Sequence, residues 1–151
     1  MATTLVQINV HVIFHTKNTG PIIRTEDLQN VFSFIGGIIK TLGETPVIIG
    51  GMSDHIHILT SLPKTMSTSD FLRTIKANSS RWIRESDKYY SDFSWQKGCG
   101  VFSVSPSKIP SMIKYIQNQE SHHKKRSFKE EYLEILEAYG IEFNKEHVFE
   151  D

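Results

Sequence analysis

Apolar positions alternate with polar ones near the start of the chain and then recur at helical spacing. The alternation over residues 5–15 predicts a half-buried strand. Its apolar positions share one face: Val6, Ile8, Val10, Val12 and Phe14. Thr25 is predicted to cap a helix whose apolar stripe continues until Gly43, which is predicted to end it.

The middle of the chain reads as two short strands and a second helix. Residues 46–49 predict a second strand, Gly50 and Gly51 a turn, and residues 55–59 a third strand that pairs back. Ser67 or Thr68 begins the next helix, and Trp82 belongs to its apolar face. Trp82 and the later Trp95 are interpreted as core residues rather than as platforms for base stacking.

The last third of the chain adds a fourth strand and two further helices. Residues 93–104 predict the strand, and a helix of about residues 107–124 follows Ser105-Pro106. Ser127 and Glu130 form a capping box for a helix that ends near Gly140. The first six elements therefore predict an α+β fold, a ferredoxin-like or RRM-like split β-α-β antiparallel sheet with helices on one face. The other face is left for ligands or a partner chain.

Composition predicts a single domain over residues 1–151, with its acidic C-terminal helix and tail at about residues 127–151. Cys99 is the only cysteine, which excludes an intrachain disulfide and a cysteine-rich zinc site. No apolar run reaches the length of a membrane span, and the N-terminus lacks the basic and apolar parts of a signal peptide. We therefore expect a soluble cytoplasmic protein.

The formal net charge of zero conceals a division of charge along the chain. Residues 129–151 carry eight acidic and two basic side chains, a balance of −6. Residues 1–128 carry fifteen basic and nine acidic side chains, a balance of +6. The basic part permits a surface that attracts phosphates, although an ordinary solvated surface with an acidic final helix explains the same numbers.

His55 and His57 are the first candidates for chemistry. They stand two residues apart on a predicted strand, so both imidazoles face the same side and can bind one metal ion. Two packed or hydrogen-bonded histidines would show the same pattern. Tyr115 and Gln119 stand four residues apart in a helical segment, which also places them on one face. Two imidazoles, an amide oxygen and a phenol suit metal-assisted attack on a phosphodiester.

The types of these residues indicate which metal and which reaction the site could support. Neutral imidazole and amide ligands leave the charge of a divalent ion uncancelled and leave positions open for a phosphate oxygen. An oxygen ligand suits Mg²⁺ or Mn²⁺, and imidazoles favour Mn²⁺ over Ca²⁺. A phenol with an ordinary pKa of about 10 is a weak nucleophile at neutral pH, so it needs the metal or a proton acceptor.

Five segments, taken in order, carry a family resemblance: residues 51–59, 75–80, 93–96, 101–105 and 115–125, or GMSDHIHIL, IKANSS, FSWQ, VFSVS and YIQNQESHHKK. They resemble the TnpA-type single-tyrosine transposases, which are HUH (histidine–hydrophobic–histidine) enzymes that move insertion sequences as single-stranded DNA. The resemblance extends from the first strand through Glu131 and on to the tail. Cys99 departs from it, since an aromatic residue is expected there, and is interpreted as a packing change.

The resemblance implies a role for each matching residue. His55 and His57 would be metal ligands, Gln119 the third ligand and Tyr115 the nucleophile that forms a covalent 5′-phosphotyrosine. The implied partners are single-stranded DNA with hairpin ends and a second copy of the chain, joined through an edge strand. In that homodimer a mobile C-terminal helix carrying Tyr115 completes the metal site of the other chain.

Other residues have weaker assignments. Asp54 is a candidate to orient a ligand histidine, although a turn residue would look the same. His122 and His123 either approach the metal or, as we favour here, belong to a basic patch. The candidate DNA contacts are Lys17, Lys76, Arg81, Arg84, Lys124, Lys125 and Arg126.

Two other functions remain open at this stage. A domesticated HUH nickase would use the same chemistry without a mobile element. A non-catalytic module of ferredoxin-like fold that binds single-stranded nucleic acid would share the sheet, but it would carry exposed aromatic side chains on the central strands.

Overall fold

The computed structural model describes residues 2–123 and 125–150; Lys124, one of the predicted DNA contacts, and the side chain of His122 lie outside the described part. The strands are β1 (Asn9–His15), β2 (Pro46–Met52), β3 (His55–Ser61) and β4 (Gly100–Ser103). The helices are α1 (Leu28–Thr41), α2 (Thr68–Ser86), α3 (Ile109–Gln117), α4 (Gln119–His123) and α5 (Phe128–Ala138).

The four strands form one sheet in the order β2-β3-β1-β4, and every neighbouring pair is antiparallel. This order confirms the predicted split β-α-β topology. One face of the sheet packs on α1 and α2 through a core that includes Val12 and Phe14 of β1 and Ile56 and Ile58 of β3. None of the helices in the described part of the chain is both long enough and apolar enough to span a bilayer.

The second face of the sheet is covered as well, which differs from the expectation of an open face. Leu59 of β3 packs with α3, and Ile13 and Phe102 pack with α5. Ile13, Leu59 and Phe102 are at most 3% exposed. Their apolar surface favours a covering layer, because each buried aliphatic or aromatic side chain gains about 1.5–3 kcal/mol from leaving water.

Several predicted strands and helices begin or end at residues other than those predicted. β1 begins at Asn9 rather than at residue 5, because its partner β3 ends at Ser61, opposite Asn9. Thr25 does not cap α1; it begins a 3₁₀ turn that makes no side-chain cap bond. The fourth strand is short, since residues 93–99 leave the sheet apart from a single bridge between Thr16 and Trp95.

The two glycines predicted as a turn instead continue β2 as far as Met52. Gly50 is needed where it lies, because a Cβ there would be 2.7 Å from Ile116 Cγ2 of α3. Gly51 has a φ of 147° and pairs with Ile56, and a Cβ on it would collide with the carbonyl oxygen of His55. Gly50 therefore lets α3 lie directly on its own chain's sheet, and Gly51 keeps β2 close to β3.

The helix predicted over residues 107–124 is two helices. A 3₁₀ turn at Pro106–Lys108 precedes α3, and Asn118, with φ −98° and ψ 24°, separates α3 from α4. Ser127 caps α5 as predicted, since its side chain accepts a hydrogen bond from the Glu130 amide at 3.2 Å.

Candidate active site

Four histidines lie on the second face of the sheet, under α3 to α5. His11 and His15 alternate along β1, and His55 and His57 alternate along β3. The register sets His15 opposite His55 and Ile13 opposite His57, so the four side chains share the face. All four are at most 4% exposed. The strand alternation thus builds a buried imidazole layer, of which the sequence analysis identified only the β3 pair.

His55 is oriented by Asp54. Its Nδ1 lies 2.7 Å from Asp54 Oδ1, and a carboxylate only accepts, so we assign the hydrogen to Nδ1. Burial disfavours the charged Asp54 carboxylate, but the hydrogen bond and charge of His55 bring its pKa below the ordinary value. In the neutral ring Nε2 then carries a lone pair, directed at Gln119 Oε1 at 2.9 Å.

Gln119 is oriented by Glu131. Its Nε2 donates to Glu131 Oε2 at 3.0 Å, so its Oε1 is the atom that faces His55. With the hydrogen on Nδ1, the lone pair of His55 Nε2 therefore faces the acceptor oxygen of Gln119 across 2.9 Å. Two lone pairs repel at this separation, and a cation that both can bind would relieve the repulsion. The donor set at this point accordingly fits a metal ion.

His57 lies two residues after His55 on β3 and faces the same cluster of side chains. Its Nδ1 lies 2.7 Å from His11 Nε2, and its Nε2 lies 3.2 Å from Glu131 Oε1. Burial lowers the pKa of His57. Burial and the neighbouring His57 ring together lower the pKa of His11 to about 3. Both rings are therefore neutral near pH 7, the state in which imidazole binds metals.

Glu131 of α5 is fully buried and joins the separate parts of the site. Besides His57, its Oε1 lies 3.1 Å from His123 Nε2 and 3.6 Å from His55 Nε2. Burial opposes its ionisation, but hydrogen bonds from His57, Tyr115 and Gln119 hold its pKa well below the ordinary value. It is therefore a charged carboxylate surrounded by donors. From the sequence, Glu131 was predicted only to belong to the acidic C-terminal helix.

The donor atoms lie close enough together to bind one ion. The ligand atoms of His55, His57 and Glu131 all lie within 4.8 Å of one another. Gln119 Oε1 adds a fourth donor beside His55. In an octahedral site with bonds of about 2.1 Å, adjacent ligands are about 3.0 Å apart, close to the contacts of 2.9 and 3.2 Å found here. Two imidazoles, an amide oxygen and a carboxylate match Mn²⁺ or Mg²⁺.

Tyr115 approaches from α3. Its hydroxyl donates a hydrogen bond to Glu131 Oε2 and accepts one from Arg126 Nη2 at 3.3 Å. Its ring lies 5.9 Å from that of His57, edge to face. Burial and the neighbouring Glu131 charge raise the pKa of Tyr115. The four residues singled out from the sequence, His55, His57, Tyr115 and Gln119, therefore meet within one chain.

The proposed basic patch is wrong for His123 and untested for its neighbours. His123 Nε2 lies 3.1 Å from both Gln119 Oε1 and Glu131 Oε1, so His123 belongs to the buried cluster. Arg126 contacts Tyr115 and Glu134. Lys125 is exposed, and Lys17 is exposed beyond the end of β1.

Two of the other predicted DNA contacts share a groove away from the histidines. The groove, of about 510 Å³, lies between α2 and residues 94–99. Four of its described lining residues are basic and none is acidic; the basic ones are Arg73, Lys76, Arg84 and Lys97. Arg81 lies instead in a separate groove beside Trp82. Trp95 is 4% exposed and packs edge to face on Phe14, which confirms its core role.

Two residues of the site were missed by the sequence analysis. His11 had a signal, because the alternation that sends Val10 and Val12 to the core sends His11 to the face of His57. Glu131 had none. It is one of eight acidic residues in the last segment, and only the packing of α5 distinguishes it from the others.

Comparisons with known proteins identify a family and solved structures of similar fold. The profile of a family described as "Transposase IS200 like" matches residues 4–119. A crystal structure assigned as a transposase from Deinococcus radiodurans R1 is similar, with TM-score 0.61 and 20% identity over 79% of this chain and 95% of that one. The REP-associated tyrosine transposase bound to a REP hairpin has TM-score 0.59 and 13% identity over 82% of this chain and 73% of that one. No curated protein matches the chain in sequence.

Proposed function

The chain belongs to the IS200-like transposase family, and we propose that it cleaves and rejoins single-stranded DNA at insertion-sequence ends through a covalent 5′-phosphotyrosine at Tyr115. The observation that carries this proposal is the convergence of one hydroxyl and four metal donors. The Tyr115 hydroxyl is bonded to Glu131, and Glu131 in turn contacts His57 and Gln119. A phenol placed beside a divalent-ion site is suited to attack a phosphodiester.

His55, His57 and Gln119 are the proposed metal ligands, with Glu131 as a fourth donor. The bound Mn²⁺ or Mg²⁺ would polarise the scissile phosphate and stabilise the charge that develops on its oxygens. Asp54 and His11 keep the Nε2 atoms of His55 and His57 directed into the site through hydrogen bonds to their Nδ1 atoms. Such outer contacts fix ring orientation and raise ligand basicity.

The proposed reaction exchanges one phosphodiester for another. The Tyr115 oxygen forms a bond to phosphorus, the bond from phosphorus to the 3′ oxygen breaks, and the tyrosine proton leaves while the 3′ oxygen gains one. The phosphotyrosine ester conserves the energy of the DNA linkage, so a 3′ hydroxyl of another strand can reverse the step without ATP. Arg126, 3.3 Å from the Tyr115 oxygen, is placed to stabilise negative charge there.

End-labelled DNA tests the proposal directly. Purified protein, Mn²⁺ and single-stranded DNA with a hairpin end should form an adduct that survives SDS. A label at the 3′ end should remain with the protein, and a label at the 5′ end should leave on a fragment with a free 3′ hydroxyl. EDTA should prevent the reaction. Cleavage without any covalent adduct would contradict the tyrosine mechanism.

We propose DNA with hairpin ends as the partner, supported by the hairpin bound to the REP-associated relative. The face of β1 and β3 under α3 to α5 carries buried histidines where a stacking module would expose aromatic rings, which favours catalysis over simple binding. A domesticated nickase would keep the same chemistry. The cytoplasmic location stays a prediction.

The groove beside α2 is the proposed path of the DNA backbone. Replacing Lys76 and Lys97 together by Gln should reduce the slope of log Kd against log salt concentration. The reduction should be about 0.7 for each phosphate contact that is lost. The slope of log Kd against log salt, from fluorescence anisotropy with a hairpin oligonucleotide, measures this. Lys40→Gln, an exposed change on α1, should leave the slope unchanged. An unchanged slope in the double variant would place the backbone elsewhere.

We also propose that the single domain of residues 1–151 pairs as a homodimer through an outer strand, in which the tyrosine helices are exchanged between active sites. The segment from Ser103 to Ser107 precedes α3 and would serve as the hinge. In the present structure Tyr115 faces the histidines of its own chain. Mixing inactive Tyr115→Phe with inactive His57→Ala should restore adduct formation, because one exchanged site would be intact. No recovery at any mixing ratio would exclude shared sites.

A further inference from the structure

Glu131 presents its two carboxylate oxygens to two different parts of the active site. Oε1 faces the imidazole nitrogens, at 3.2 Å from His57 Nε2 and 3.1 Å from His123 Nε2. Oε2 accepts hydrogen bonds from the Tyr115 hydroxyl and, at 3.0 Å, from Gln119 Nε2. One side chain thus connects the nucleophile with the ligand cluster.

This carboxylate comes from a part of the chain that the family profile does not cover. The profile match ends at residue 119, and Glu131 lies in the first turn of α5. The helix is firmly placed, because Phe128, Tyr132 and Leu136 are each at most 7% exposed and pack with Ile13 and Phe102 of the sheet. The position of Glu131 therefore follows from core packing and not from a chance contact of a surface side chain.

We propose that Glu131 is a further catalytic residue, which holds the Tyr115 hydroxyl in the orientation for attack; this role rests on the proposed function of Tyr115. By accepting the hydroxyl hydrogen, Oε2 sets the rotation of the phenol O–H bond. The oxygen lone pairs then face away from Glu131, on the side from which Arg126 Nη2 donates at 3.3 Å. Holding a nucleophile close to its attack geometry removes much of the entropic barrier to reaction.

Only a carboxylate meets all of these contacts at once. Its oxygens accept from Tyr115 and Gln119 on one side, and its charge faces the imidazoles on the other. A glutamine at this position would offer one acceptor oxygen and one N–H donor. It would then lose either the bond from Tyr115 or the oxygen that faces the imidazoles.

Glu131→Gln is the test, because it preserves size and changes only these contacts. At saturating Mn²⁺ the rate of adduct formation should fall by about 10²–10⁴-fold, the range of a positioned group at a reacting atom. The Kd for hairpin DNA should stay within about twofold, and the thermal midpoint should show that the variant is folded. Glu137→Gln, an exposed change on the same helix, should react like the wild type.

Three results would overturn the role of Glu131. An adduct rate equal to the wild-type rate at saturating Mn²⁺ would show that Glu131 does not act on Tyr115. A faster rate would show that the contact restrains Tyr115. Loss of DNA affinity in proportion to the rate would indicate a structural role. Should Glu131→Gln fail to fold, Glu131→Asp, which keeps the charge but shortens the reach, should show the same loss of rate. Failure of the proposed function is distinct, since the wild type would then form no adduct.

Discussion

Replacing Tyr115 by Phe should eliminate the SDS-resistant protein–DNA adduct, because the change removes the oxygen that is proposed to attack phosphorus. The change removes one hydroxyl that is bonded to Glu131 and Arg126. It leaves the proposed metal ligands of β3, His55 and His57, in place. We therefore expect binding of Mn²⁺ and of hairpin DNA within about twofold of the wild type, with adduct formation reduced by more than about 10⁴-fold.

The fold of this variant should survive at a measurable cost. Leaving the buried Glu131 carboxylate with one fewer donor should destabilise the protein by about 1–3 kcal/mol, measured by urea unfolding. Tyr139→Phe is the matched control, since its hydroxyl donates to the Ser103 carbonyl away from the histidines. It should form adduct at the wild-type rate. An adduct of undiminished yield with Tyr115→Phe would show that another residue is the nucleophile.

Replacing His57 by Ala should remove metal binding and adduct formation together. The imidazole supplies one of the four converging donors and has no solvent exposure, so water cannot readily replace it. Loss of an outer-shell partner alone costs about 10–100-fold in metal affinity. We expect loss of a ligand to exceed that range in a titration of Mn²⁺ by isothermal calorimetry.

A matched histidine separates a metal effect from a general effect of the substitution. His147 lies in the C-terminal segment with its side chain 61% exposed, and it pairs with Glu150. His147→Ala should bind Mn²⁺ and form adduct like the wild type. The thermal midpoint of metal-free His57→Ala shows whether the variant is folded. A folded His57→Ala protein with unchanged Mn²⁺ affinity would remove His57 from the ligand set.

The expectations for the fold were accurate in type and less accurate at element ends. Alternation and helical period identify β1, α1 and α2 because burial of one face determines both the pattern and the structure. The ends depend on partners that are distant in sequence. β1 begins where its antiparallel partner β3 ends, at the pair Asn9 and Ser61, and Gly50 remains in β2 because Ile116 of α3 packs on it.

Local spacing also explains which residues of the site could be predicted from the sequence. His55 with His57, and Tyr115 with Gln119, have regular spacing on a single element, so each pair could be recognised from the sequence. His123 was assigned to a basic patch because its charge-rich neighbours suggested one. Its place against Gln119 and Glu131 depends on the turn at Asn118 and on the packing of α5.

The chain's own pattern thus establishes the split β-α-β sheet, the same-face histidine pair and the tyrosine that accompanies Gln119, since local periodicity decides which face each side chain takes. The folded molecule adds the remainder. It brings the tyrosine to the histidines of the same chain, sets His11 behind His57 and inserts Glu131 between Tyr115 and His57. Those contacts join residues from 16 to 74 positions apart, and long-range packing of apolar surface, rather than local spacing, forms them.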